Sequence, residues 1–224
     1  RSQTMNVHES KCHYYVFPTH SSEQLACSPA PSLEEVGGKA LSLYATAAAF
    51  PVPPGLVLTV EFFRPWLDRI KGTEAWKSCA DKQRQSTTAA EGSEEEGATK
   101  EDCDAIKREC RRILSLDDEQ TESLERAIRK AFGPQCDLAT ELGIVAVRSS
   151  SPEEDLAGTS FAGGYDTTLG VTSETLQCAI VDSFASLFDH RVHLYKARHG
   201  MRTDEPRIAI IVQRQIDSEV SGGG

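Results

Sequence analysis

Apolar positions recur along the chain in two periods and divide it into helices and short buried strands. Ile144-Val145-Ala146-Val147 is a continuous apolar run of strand length, the pattern of a strand covered on both faces. Leu56 to Thr59 and Arg207 to Ile216, RIAIIVQRQI, read the same way. Helical spacing marks the other segments. It runs through Leu41, Leu43 and Tyr44 in the stretch Lys39 to Ala49, then through Phe63, Trp66, Leu67 and Ile70. It returns at Ile106, Cys110, Ile113 and Leu114, at Leu124, Ile128, Ala131 and Phe132, and at Leu176, Ile180, Phe184, Leu187 and Phe188. The run Phe50-Pro51-Val52-Pro53-Pro54-Gly55 breaks the first helix and Gly133-Pro134 ends another, because proline cannot continue a helix. Thr59 and Ser173 are the expected N-caps of the helices that follow them. Helical and strand segments both occur, so a sheet with flanking helices is expected.

Two segments lack a period. Residues 1–31 mix His, Tyr, Ser and Pro, and are expected to be poorly defined. Residues 78–102 are rich in Ser, Thr, Ala, Gly and Glu, with Glu94, Glu95 and Glu96 in a row. Few bulky apolar groups occur there, so an acidic low-complexity insertion or loop is expected.

Composition narrows the class. The chain has 224 residues, 39% of them hydrophobic, and a formal net charge of −10. No apolar run approaches the ~20 residues of a spanning helix, and no secretory signal pattern is visible, so no membrane association is expected. The acidic balance argues against general nucleic-acid binding. Seven cysteines occur without a C-x-x-C. An odd number without that spacing favours free thiols in a reducing, cytoplasmic setting over a disulfide framework or a zinc site. His8, Cys12 and His13, or His190 and His193, could face a metal, but no metal ligand is expected among them.

The chemistry concentrates after the Ile144 strand. Arg148 to Gly170 reads RSSSPEEDLAGTSFAGGYDTTLG: an arginine, three serines, then glycines and small residues interleaved with hydroxyls. A guanidinium beside exposed backbone amides and hydroxyls suits a polyphosphate, while a polar hairpin with a surface arginine is the plainer alternative. Lys39 follows Gly37 and Gly38 at the head of the first helix. The full G-x-x-x-x-G-K-[ST] is absent, so this is not a Walker loop. Gln213 follows the apolar start of the last strand and could equally be a ladder-edge glutamine.

The stretch around Arg148 closely resembles the loop of phosphoenolpyruvate synthases (pyruvate, water dikinases) and rifampicin phosphotransferases, V-R-S-S-x-x-x-E-D-L-x-x-x-S-F-A-G-x-x-x-T-x-L. Val147, Arg148, Ser149, Ser150, Glu154, Asp155, Leu156, Ser160, Phe161, Ala162, Gly163, Thr167 and Leu169 fall in register. Val36, Gly37, Gly38, Lys39 and Leu43 match the family's V-G-G-K-x-x-x-L, and Val52, Pro53, Gly55, Val57, Leu58 and Thr59 its V-P-x-G-F-V-[LV]-T. The segment Phe184 to Tyr195 and the final strand with Gln213, Ser218, Ser221 and Gly222 also resemble it, although Gln215 replaces a methionine. The similarity runs from about Leu33 to Gly222.

The resemblance implies an α+β fold, the N-terminal part of an ATP-grasp nucleotide-binding domain over residues 32–222, with a mixed sheet. It implies ATP as ligand, gripped at its phosphates by Lys39 and Arg148, lined by Gly163 and Thr167, and met on the adenine side by Gln213. It further implies dikinase chemistry: the β-phosphoryl of ATP passes to a phosphohistidine domain of the parent protein, and from there to pyruvate or a related acceptor on a substrate-binding domain. Acidic Mg²⁺ ligands are expected outside these residues, so the segment alone is expected to bind ATP weakly and to be inactive. A regulatory pseudoenzyme, or a structural domain without nucleotide, are the competing expectations.

Overall fold

The structure is a computed structural model that describes residues 12–17, 30–88, 98–139, 142–153, 167–199, 201 and 203–217. Its strands are β1 (Tyr14–Val16), β2 (Gly55–Leu58), β3 (Val145–Ser150), β4 (Thr167–Val171) and β5 (Ala209–Arg214). They form one sheet in the order β1-β2-β5-β3-β4. The helices are α1 (Leu33–Ala49), α2 (Arg64–Lys71), α3 (Glu74–Thr88), α4 (Lys100–Ile113), α5 (Asp118–Phe132), α6 (Ser173–Ala185) and α7 (His190–Arg198). The class is α+β, as the resemblance implies. The sheet was expected to be mixed; every pairing among the described residues is antiparallel. The reason is that β5 inserts between β2 and β3 and runs against both, while β4 turns back along β3.

Both faces of the sheet are covered, which explains the unbroken apolar wording of β5. Ala209 and Ile211 point to one side, where they pack with Tyr15, Phe17, Val57 and the α1 residues Val36, Ala40 and Ala47. Ile210 and Val212 point to the other, into a larger core with Val145, Val147, Trp66, Ile106, Leu124, Ile180 and Phe184. The centre of that core is aromatic. Trp66 stacks edge-on against Phe184 at 5.5 Å, and its indole N–H donates to Gln120 Oε1 at 2.9 Å. Gln120 in turn donates to Phe62 O at 2.8 Å, so the buried polar groups satisfy one another.

Several local expectations change: α1 begins at Leu33 rather than Lys39, and Thr167–Val171, expected within the loop, is strand β4. Residues 78–88 and 100–102, expected in a loop, are helical. Their polar sequence hides the period, although Cys79 and Cys103 are buried and Lys82 donates to Asp102 at 2.7 Å. Thr99 caps α4, accepting from Asp102 N at 3.3 Å. Residues 14–16 form β1 although nothing periodic marks them; three residues are too few to show alternation, and burial of Tyr15 and Phe17 beneath α1 holds them. Strand β3 extends past Val147 through Ser150, so Arg148 lies within a strand rather than at its end. Thr172, not Ser173, is the N-cap of α6, because Ser173 Oγ is taken by Leu142 N at 3.0 Å.

Candidate functional site

The first helix is the element that brings the candidate residues together. Gly37 has φ of +72° and ψ of 167°, a break between two helical pieces inside α1. A Cβ at this position would stand 2.6 Å from the carbonyl carbon, carbonyl oxygen and Oγ of Ser150. Only glycine accepts both the left-handed φ and that approach. The turn thus sits directly on the end of β3, and the Ala40 N–H donates to Ser150 Oγ at 3.0 Å. Lys39 is therefore fixed beside the sheet face that Ser150 shares.

Alternation along β3 places Arg148 on that same face. The cross-strand partner of Arg148 on β5 is Ile211, a member of the α1-side core, and its partner on β4 is Thr167. Gln213, two residues beyond Ile211, pairs with Ala146 and Gly55 on the same side. Lys39, Arg148, Thr167 and Gln213 thus all belong to the α1 side of the sheet. Gly163 lies outside the described residues. Thr167 is exposed, while Lys39 and Arg148 are half-buried. Among the described residues Arg148 has no carboxylate against its guanidinium. Gln213 is 7% exposed, and its Nε2 donates to Pro53 O at 3.1 Å, leaving Oε1 as its acceptor.

Carboxylates around this face are engaged elsewhere. Glu35 accepts from Ser32 N and Oγ at 2.9 and 2.8 Å and from Tyr15 OH at 3.0 Å. Burial pushes its carboxyl up, but these hydrogen bonds outweigh burial and hold it below the usual value of 4.5. Burial, helped by the Glu35 hydrogen bond, raises the Tyr15 phenol above its ordinary value. Glu34 pairs with Arg207. Glu153, just past β3, forms a buried ion pair with Lys196 of α7 and lies 3.7 Å from Arg207 Nε. Ser151 Oγ donates to Arg207 O at 3.0 Å and accepts from Glu153 N at 3.1 Å. Together these contacts tie the exit of β3 to α1 and α7. With Glu34, Glu35 and Glu153 so occupied, the described carboxylates do not fit a Mg²⁺ site.

A second cluster lies on the other side of the sheet; of its members the sequence marks only His193, and pairs it with His190 rather than with the cysteines. Cys79 of α3, Cys103 of α4 and His193 of α7 offer ligand atoms all within 4.8 Å of one another. They line a cavity of about 490 Å³ together with Trp76, Phe188 and Lys196. None of Lys39, Arg148, Thr167 or Gln213 lines it. A hydrogen bond between the two thiols lowers Cys79 and, with burial, raises Cys103. His193 Nε2 meets Gln83 Oε1. The three positions are spread over more than a hundred residues, and no motif spacing joins them.

The chain belongs to the family described as pyruvate phosphate dikinase, AMP/ATP-binding domain, which it matches over residues 33–223. It is thus an AMP/ATP-binding domain of the phosphoenolpyruvate synthase and dikinase type. Among its relatives is a probable phosphoenolpyruvate synthase of Methanocaldococcus jannaschii, 32% identical over 191 residues, which cover 83% of this chain and 15% of the relative. One of Archaeoglobus fulgidus is 34% identical over 189 residues, covering 84% and 23%. The uncharacterized phosphotransferase YvkC of Bacillus subtilis is 48% identical over 79 residues, covering 35% of this chain and 10% of that protein. The chain spans under a quarter of the length of each of these three. No helix among the described residues is long and apolar enough to cross a membrane.

Proposed function

We propose that the α1 side of the sheet holds the polyphosphate of ATP and that this domain serves a dikinase-type phosphotransferase. The β-phosphoryl of ATP would pass to a histidine on another domain of the parent protein, and then to pyruvate or a related acceptor. The observation that carries this reading is the seating of the Gly37-Gly38 turn on Ser150, which fixes the Lys39 backbone on the face that carries Arg148. An ammonium and a guanidinium on one face offset the phosphate charge by positioned hydrogen bonds, the main resource of phosphoryl-transfer sites. Gly163 and Thr167 would line the phosphates, and Gln213 Oε1 would accept from the exocyclic amine of adenine. Mg²⁺ enters this reading only with ligands other than the described carboxylates. A cytoplasmic setting is part of it, supported by six free cysteines among the described residues.

Titration calorimetry with ATP tests the site. Arg148→Ala and Lys39→Ala should each weaken binding by about 1.5–3 kcal/mol, the worth of a hydrogen bond to a charged group. Gln213→Ala should weaken ATP and AMP binding alike, because it leaves the phosphate contacts intact. Unchanged affinity in both cation variants, with their folds intact, would overturn the assignment.

A further inference from the structure

We propose that Cys79, Cys103 and His193 bind a zinc ion, with its fourth coordination position open to the cavity between α3, α4 and α7. This site is separate from the nucleotide face and does not depend on it.

The ligand set has the right chemistry. Two thiolates and an imidazole are the Cys₂His donors that zinc favours, and three protein ligands with one open position are the usual form of a reactive zinc site. The three ligand atoms already lie within 4.8 Å of one another. A zinc tetrahedron with bonds of about 2.0–2.3 Å has edges of about 3.6–3.8 Å, so each edge needs to close by no more than about 1 Å. The two cysteines are buried and His193 is half-buried, which shields the thiolates from solvent. Gln83 Oε1 rests against His193 Nε2, so the proposed ligand is Nδ1, and such a carbonyl contact orients a metal-binding imidazole.

The site is charge-balanced. Zinc displaces both thiol protons to solvent, two S–Zn bonds and one N–Zn bond form, and the two thiolate charges cancel the dication. A water molecule completes the tetrahedron on the cavity side. Lys196, one helical turn beyond His193, points into the same cavity and pairs with Glu153 at the exit of β3. The ion would therefore pin the helix that anchors the segment leading into the glycine-rich stretch.

The test is metal titration of the reduced, chelator-treated chain, with zinc followed by competition against a chromophoric chelator and Co²⁺ by absorption. One equivalent should bind, and Co²⁺ should show thiolate charge-transfer and tetrahedral d–d bands. Cys79→Ser, Cys103→Ser and His193→Ala should each weaken zinc by more than about 100-fold, Gln83→Ala by about 10-fold, and Cys178→Ser not at all. Where a cysteine variant fails to fold, X-ray absorption of the unaltered chain with one equivalent of zinc decides. A shell of two sulfurs and one imidazole nitrogen supports the site; a shell of oxygen and nitrogen alone overturns it. A Cys79–Cys103 disulfide that forms and persists under excess zinc also overturns it.

Discussion

Ser150 Oγ accepts the backbone N–H of Ala40 at 3.0 Å, joining residues 110 positions apart. This one bond satisfies an amide in the first turn after the Gly37 break and sets the distance between α1 and β3. It makes the glycine pair a docking device: the helix can lie this low on the sheet only because Gly37 presents no side chain to Ser150.

Gly37→Ala should therefore destabilise the domain by about 2 kcal/mol or more, combining the left-handed φ with a clash against backbone atoms that cannot swing away. Urea denaturation measures it. Gly38→Ala is the comparison, and an unchanged midpoint in Gly37→Ala would refute the docking role.

The buried pair of Lys196 and Glu153 should cost more to break than to replace. Lys196→Met leaves Glu153 with Arg207 at 3.7 Å as its remaining cation and should lower stability by about 3 kcal/mol. The double variant Lys196→Met, Glu153→Gln should regain much of that loss. A double variant no more stable than the single one would contradict the account.

Acid should weaken the attachment of α1 to β1. The Glu35 carboxyl is lowered in the folded state, so its contribution is fully present above its unfolded value near 4.5 and is lost as pH falls through the folded value. Stability of the unaltered chain should drop on acidification below pH 4.5, and Glu35→Gln should show a shallower drop over the same window. Parallel profiles for the two proteins would exclude Glu35 as the cause.

The core around Trp66 should respond to the loss of a polar partner as well as of volume. Gln120→Leu leaves the buried indole N–H with Ser115 O at 3.1 Å as its remaining acceptor and strands Phe62 O. A loss of about 1–3 kcal/mol is expected, and Trp66→Ala should cost about 3–5 kcal/mol. In a thermodynamic cycle the two should couple, whereas simple additivity would show that the hydrogen bond carries no stability.

Much of the candidate face on the α1 side of the sheet could be read from the chain itself. The glycine pair before Lys39, the apolar run before Arg148 and the run that leads to Gln213 are local patterns that mark α1, β3 and β5, although α1 begins earlier, at Leu33, and β3 runs on to Ser150. Helix α3 could not be read beyond Trp76, since past Ala75 and Trp76 its described core contact is Cys79 and Lys82 pairs with Asp102 instead. The three residues of β1 escaped notice because their partner strand lies some forty residues away in sequence.

The amino-acid sequence alone determined the family, the α+β class and the location of the short apolar strands, because these depend on periods and motifs carried by neighbouring residues. Tertiary structure decided that the sheet is antiparallel, that Lys39 and Arg148 share a face, and that Cys79, Cys103 and His193 meet. Those facts depend on the order in which strands pair and helices stack. Such long-range contacts are set by burying both faces of the sheet at once, and no local stretch of sequence encodes them.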